Sequence, residues 1–212
     1  MANNVVRALR LMLVTDDRLV PAGGLVETCR AAVRGGVTSV QLRLKQVEPR
    51  ELVTLARELV AAVPVPVLVN DRLDVALAAG AAGVHLGPDD LPVALARRVA
   101  PPGFLIGASV GGSSELESGT GADYWGVGPW DTTTTKANAG DALGAEGFRR
   151  IVARAGGIPC IAIGGVRPED VAGVLGAGGA GVAVVSGILG RPDVEAAARE
   201  YLRQQSTVNG QR

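Results

Sequence analysis

The stretch VPVLVNDRLDVALAAGAAGVHLG, residues 65–87, holds one complete repeat of this chain's architecture. VPVLVN (65–70) is short, β-branched and almost wholly apolar, the pattern of a strand covered on both faces. RLDVALAA (72–79) has helical spacing, and Gly80 ends it tightly. AGVHLG (82–87) then reads as the next strand. Working outward, the same alternation predicts strands at 11–15, 37–43, 65–70, 82–87, 104–109, 122–128, 159–164 and 180–186. Helices are expected at 22–34, 49–62, 72–79, 91–99, 113–119, 143–155, 168–176 and 192–204. Pro49, Pro92, Pro168 and Pro192 stand at early-helix positions, where a missing N–H costs nothing.

Eight strand–helix units, at a repeat of roughly 25 residues, favour a closed (β/α)8 TIM barrel over an open doubly wound sheet. No GxGxxG follows the first strand, which argues against a dinucleotide-binding fold. The α/β class and the absence of any linker predict a single domain over 1–205. The polar end QQSTVNGQR (204–212) reads as a frayed tail over 206–212.

Composition excludes several function classes. Lys+Arg and Asp+Glu balance at 21 each, so the chain carries no nucleic-acid footprint and no basic membrane patch. No apolar stretch reaches transmembrane length. VVRALRLMLVT (5–15) interrupts its apolar run with arginines and suits a first strand better than a signal peptide. Cys29 and Cys160 are isolated, as buried thiols of a reducing, cytoplasmic compartment are. With one histidine, His85, a multi-histidine zinc site is excluded and a hydrolytic triad is disfavoured. A histidine inside a strand reads as a hydrogen-bonded core residue.

Only two of the 21 basic residues are lysines, Lys45 and Lys136. Both follow strand-like runs. A compact ammonium beyond a strand end, where arginine's rigid fork has not replaced it, points to a phosphate-bearing substrate. Barrel enzymes place their chemistry at the C-terminal strand ends. There strand 2 carries Gln41, Arg43 and Lys45, which share one face if the run stays extended. Strand 3 ends in Asn70-Asp71, strand 4 leads to Asp89-Asp90, and strand 5 ends at Ser109. Asp71 and Asp90 could each cap the following helix. Taken together, two carboxylates facing several cations suit a Mg²⁺–diphosphate site. IGGV (163–166) and VVSG (184–187) fall on strands 7 and 8, where many barrels bind phosphate through backbone N–H groups. After strand 6, PWDTTTTKANAGDALG (129–144) is long enough to be a substrate-covering lid.

These motifs, in this order, resemble the thiamine phosphate synthase (thiamine-phosphate pyrophosphorylase) family. The matching segments are QLRLK (41–45), Asn70-Asp71, GVHLGPDD (83–90), Ser109, GPWDTTTTK (128–136), Gly164-Gly165 and Val185-Ser186. The resemblance covers nearly the whole chain. It implies a transferase of thiamine biosynthesis that joins 4-amino-5-hydroxymethyl-2-methylpyrimidine diphosphate to 4-methyl-5-(2-phosphoethyl)thiazole, giving thiamine phosphate and pyrophosphate. Mg²⁺ would be the cofactor, held by Asp71 and Asp90. Arg43, Lys45, Asn70, Ser109 and Lys136 would contact the diphosphate substrate, with Arg43, Lys45, Ser109 and Lys136 acting in catalysis. Gln41 would lie by the pyrimidine. Thr133, Thr135, Gly165, Val185 and Ser186 would take the thiazole phosphate. The implied partners are these small molecules, with no nucleic acid and no membrane, and a homodimer is compatible.

Three departures stand out. Leu44 replaces a usual Glu, on the strand face opposite Arg43 and Lys45. Pro88 replaces Gln, and Trp130-Asp131-Thr132 replaces an aromatic–Pro stretch. The rival readings are a thiazole tautomerase-like enzyme, a non-catalytic thiazole-phosphate-binding barrel and a generic sugar-phosphate barrel. SVGGSSEL (109–116) lacks the histidine that the resemblance to the tautomerase would require.

Overall fold

Eight parallel strands pair in sequence order and close on themselves: β1 Leu11–Val14, β2 Ser39–Leu42, β3 Val67–Asn70, β4 Gly83–Leu86, β5 Leu105–Val110, β6 Tyr124–Val127, β7 Cys160–Ile163 and β8 Gly181–Val184. The structure, a computed structural model, describes residues 2–20, 22–112, 116–132 and 141–209. Each predicted strand is present, shorter by a residue or more at most ends. Closure comes from β1 pairing with β8 through Leu11↔Val182 and Leu13↔Val184. The chain is a single (β/α)8 barrel.

The helices are α1 Ala2–Ala8, α2 Leu25–Arg34, α3 Pro49–Ala62, α4 Leu73–Ala79, α5 Val93–Val99, α6 Gly144–Arg154, α7 Val171–Gly176, α8 Ser186–Leu189 and α9 Val194–Asn209. Pro49 opens α3 as expected, whereas Pro92 is the N-cap of α5. Pro192 precedes α9, whose first turn is capped by Asp193: its Oδ1 accepts the Ala196 N–H at 2.9 Å. No described helix is long and apolar enough to cross a membrane.

Three expectations are corrected. Residues 5–15 are not one strand, because Ala2–Ala8 form α1. This helix lies at the N-terminal strand ends, where the Ala8 carbonyl accepts from the Thr38 and Ser39 hydroxyls. The helix expected at 113–119 is absent from its described part, since 116–119 form turns. There the Trp125 ring fills the space beside Gly119, and its indole N–H donates to the Gly119 carbonyl at 2.8 Å. The third is α8, which follows β8 immediately and which the pattern does not show.

Strand alternation separates two apolar regions. Outward side chains such as Val40, Leu42, Val69, Leu86 and Val127 pack with the helices into one large core. Inward ones form a smaller column of Met12, Val14, Leu68, Tyr124, Ile161 and Ala183, closed below by Leu9. Gly107 belongs to the column because a Cβ there would lie 2.2 Å from the Tyr124 ring.

Candidate active site

The described candidate residues gather at the C-terminal end of the barrel. Beyond β1, Thr15 holds the next strand: its Oγ1 accepts the Arg43 N–H at 2.8 Å and donates to the Arg43 carbonyl at 3.2 Å. Asp16, wholly buried, takes Arg18 in a two-pronged ion pair, Nε to Oδ1 at 3.0 Å and Nη2 to Oδ2 at 2.8 Å. Its Oδ2 also receives Arg43 Nη1 at 3.4 Å. The Arg18 hydrogen bonds hold the Asp16 carboxyl below its ordinary range, against the opposing effect of burial. One buried carboxylate thus orients two guanidinium groups at the mouth. Asp17 adds a clamp by accepting the Gln46 N–H at 2.7 Å.

Gln41, Arg43 and Lys45 do not share one common partner. β2 ends at Leu42, and the chain bends over 45–47. Gln41 is buried inside the barrel, Arg43 turns to Asp16, and Lys45 pairs with Asp71. Leu44 is buried in the outer core, on the side expected for it.

Asp71 is not a helix cap; α4 begins at Leu73 with Arg72 as its N-cap. Instead Asp71 holds φ = 63°, the one described non-glycine residue with positive φ. Asp tolerates this left-handed conformation better than most residues, but it is strained, and such strain clusters at functional sites. The Asp71 N–H donates to the His85 carbonyl at 2.8 Å, fixing the turn to β4. Asp90 does not cap α5 either, which starts three residues later. Its Oδ2 accepts the Gly87 N–H at 2.6 Å. Burial, and then the neighbouring Asp71 carboxylate, push the Asp90 carboxyl above its ordinary range.

Lys45, Asp71 and Asp90 therefore form one cluster in which two like charges meet with a single cation among the described residues. No group of three or more metal-ligating side chains exists among the described residues. A divalent ion here would complete its shell with water and substrate oxygens, as Mg²⁺ does. The side-chain amide of Asn70, on the same strand end, makes no hydrogen bond to the described residues.

At the opposite side of the mouth, Gly164 and Gly165 have φ of 84° and 71°. A Cβ on Gly165 would meet the Asp131 and Thr132 carbonyl oxygens at 2.8 Å, so the chain leaving β6 lies directly over this turn. That chain is pinned by Trp130 N–H to the Ile163 carbonyl at 2.9 Å and by Asp131 N–H to the Gly164 carbonyl at 3.0 Å. Trp130 is buried edge-on against Phe148, with ring centroids 5.7 Å apart. The charge at Asp131, one of the departures, faces Arg167 at 3.5 Å.

The register Ile163↔Ala183 brings Gly165 and Val185 to adjacent strand ends. Ser186, exposed, opens α8. Tyr201 of α9 braces both ends: its hydroxyl donates to the Val166 carbonyl at 2.9 Å and fills the space beside Gly187. Thr133, Thr135 and Lys136, and most of the expected lid, lie outside the described residues.

Inside the barrel, His85 Nδ1 lies 2.9 Å from the Tyr124 hydroxyl and Nε2 lies 3.0 Å from Ser109 Oγ. The expected core histidine is hydrogen-bonded, and one of its partners is a candidate site residue. Asp16, Arg18 and Tyr201 at the mouth, and Tyr124 inside the barrel beneath it, are not marked by the sequence pattern as site residues. For Asp16 and Arg18, the charged TDDR (15–18) after the first strand was a usable signal.

The thiamine monophosphate synthase family (TMP-TENI) matches residues 11–188, from the first strand to the helix after the last. The chain belongs to this family. The thiamine-phosphate synthase of Azorhizobium caulinodans is 46% identical over 196 residues, 90% of this chain and 92% of that protein. The Xanthobacter autotrophicus protein of the same name is 50% identical over the same coverage. A thiamine phosphate pyrophosphorylase structure from Pyrococcus furiosus superimposes with a TM-score of 0.86 at 37% identity, covering 96% of this chain and 98% of its own. As a thiamine monophosphate synthase family member, the protein is an enzyme of the transferase class.

Proposed function

We propose that this enzyme is a thiamine phosphate synthase. It joins the pyrimidine methylene of 4-amino-5-hydroxymethyl-2-methylpyrimidine diphosphate to the thiazole nitrogen of 4-methyl-5-(2-phosphoethyl)thiazole and releases pyrophosphate. The observation that carries this reading is the meeting of Asp71, Asp90 and Lys45 at one point of the mouth, with Arg43 oriented by Asp16 nearby. Two carboxylates sharing one lysine fit a Mg²⁺ ion, and the ion would supply charge neutralisation of the departing diphosphate.

The remaining roles belong to the chain. Arg43 and Lys45 bind diphosphate oxygens, Ser109 and Asn70 donate hydrogen bonds to them, and Lys136 adds a further cation. Such preorganised donors lower the barrier to breaking the C–O bond, because charge develops on the leaving group. The pyrimidine then carries the positive charge and the thiazole nitrogen attacks it. Gln41 lies below, beside the pyrimidine. Thr133, Thr135, Gly165, Val185 and Ser186 receive the thiazole phosphate. Little acid–base chemistry is required, which agrees with a single histidine occupied inside the barrel. The two buried free thiols support a reducing, cytoplasmic setting.

The test is to mix purified protein with both substrates and Mg²⁺ and to assay thiamine phosphate and pyrophosphate. Equal yields of both, abolished by EDTA, are expected. No product while thiazole phosphate still binds would overturn the synthase reading in favour of a non-catalytic thiazole-phosphate-binding barrel.

A further inference from the structure

The inward residues of β2, β4, β5 and β6 form a continuous polar line through an otherwise apolar column. Tyr124 meets His85 Nδ1 and His85 Nε2 meets Ser109, while Gln41 stands beside the same Met12 sulfur as Tyr124. The register explains the alignment, since His85 and Tyr124 both stand opposite Gly107 and Ser109 stands opposite Gly126. The two glycines leave room for the rings: a Cβ at Gly107 would overlap Tyr124, and one at Gly126 would lie 3.0 Å from the His85 ring.

The proton directions along this line follow from donor counts. Gln41 presents Nε2 on the side of Met12, 3.5 Å from its sulfur, and the Tyr124 hydroxyl lies 4.0 Å from the same sulfur. Of the two acceptors the phenol reaches, the sulfur at 4.0 Å is the weak one and His85 Nδ1 at 2.9 Å the strong one. Burial keeps the phenol protonated by raising its pKa. Its single proton goes to His85 Nδ1, the other titratable partner in the column. Nδ1 is then an acceptor, and the ring proton sits on Nε2 and is donated to Ser109 Oγ. Ser109 has no other side-chain hydrogen bond among the described residues. Its own proton is left for the mouth.

We propose that Tyr124 and His85 form a one-directional hydrogen-bond column that presents the Ser109 hydroxyl as a fixed donor to an anionic oxygen at the barrel mouth. Tyr124 and His85 are then positioning residues. The identity of that oxygen as part of the diphosphate rests on the function proposed above; the direction of the column does not. A hydroxyl that accepts from below cannot turn inward to donate, so no reorganisation is needed when the anion arrives.

Two measurements test it. Tyr124→Phe removes one oxygen and keeps the ring against Gly107. It frees His85 Nδ1 to take the proton, so Ser109 can donate inward. Ser109→Ala is expected to lower turnover about 10²-fold, as loss of a preorganised donor does. Tyr124→Phe alone is expected to lower it about tenfold. Tyr124→Phe added to Ser109→Ala should cost nothing further. If the two effects multiply, the column does not act through Ser109 and the proposal fails.

The second measurement needs no activity. The chain has one histidine, so ¹⁵N NMR of tag-free protein reports His85 alone. The neutral Nε2–H tautomer is expected in the wild type, with loss of that preference in Tyr124→Phe. An Nδ1–H tautomer in the wild type would overturn the column. An Nε2–H tautomer in a protein that makes no thiamine phosphate would instead count against the function proposed above.

Discussion

The same eight strands line two regions of opposite character. The shell between strands and helices is filled by interchangeable aliphatic residues, Val40, Leu42, Val69, Leu86 and Val127 among them, packed on Leu25, Leu59 and Phe148. The interior column is narrow and individually matched, with Tyr124 set against Gly107, His85 against Gly126, and Gln41 against Met12. Shell contacts are non-directional and scale with the area buried. Column contacts have donors and acceptors, and they end in the charged mouth. Stability therefore resides mainly in the shell, while the column leads to the candidate site, although each strand contributes to both.

That separation can be broken by substitution. Asp71→Asn is expected to have the largest effect, a fall in turnover of at least about 10²-fold, as removal of a metal-holding carboxylate would bring. Asn also tolerates the positive φ of this position, and the Lys45 pair is a partly exposed one of small worth. Thermal unfolding should barely shift. A melting-point drop as large as that of a core cavity would show that the mouth supports the fold.

Leu59→Ala in α3 makes the converse case. Leu59 is wholly buried in the shell. Its truncation should cost about 3 kcal/mol and lower the melting point by about 6–12 °C in a chain of this size. Turnover per folded molecule at 25 °C should stay at the wild-type value. A matching fall in turnover, read in the same assay, would mean that shell and column are not separable.

The smallest effect sharpens the boundary between the two. Asp16 lies at the top of the column and orients Arg43, so Asp16→Asn should raise KM for the diphosphate substrate by about threefold, the loss of part of one charge-assisted contact. Its carboxyl is depressed in the folded state. It contributes stability that is fully present above its unfolded value, near 3.8, and lost as pH falls through the lower folded value. Urea unfolding should show a constant gap between wild type and variant from pH 5 to 7, shrinking as the pH is taken below 4. A gap that widens on acidification would reverse the sign assigned to Asp16.

Much of this was legible in the chain. The eight strands could be read because each is a short apolar run punctuated by glycine, and the gathering of Asp71, Asp90 and Lys45 just past strand ends, and of Ser109 near the end of β5, could be read with them. What escaped depended on distant partners. Helix α1 is short, and short helices form through packing rather than propensity; the Thr38 and Ser39 hydroxyls that receive it come 30 residues later. Residues 116–119 look helical, but Trp125 claims the Gly119 carbonyl and the space beside it. Gln41, Arg43 and Lys45 share a spacing that suggests one face. The bend after Leu42 and the carboxylates Asp16 and Asp71 send Arg43 and Lys45 to separate partners.

By itself, the sequence determined the number and order of strands, the closed parallel architecture and the end at which the polar residues gather. Periodicity and strand-end position are local properties, written within a few residues. Only the tertiary structure decided that a buried Asp16 would orient two arginines, that Asp71 and Asp90 would crowd around Lys45, and that Tyr124 and His85 would line up beneath Ser109. Asp16–Arg43, Lys45–Asp71, His85–Ser109 and His85–Tyr124 join residues 27, 26, 24 and 39 apart, and only the parallel barrel brings them within hydrogen-bond reach.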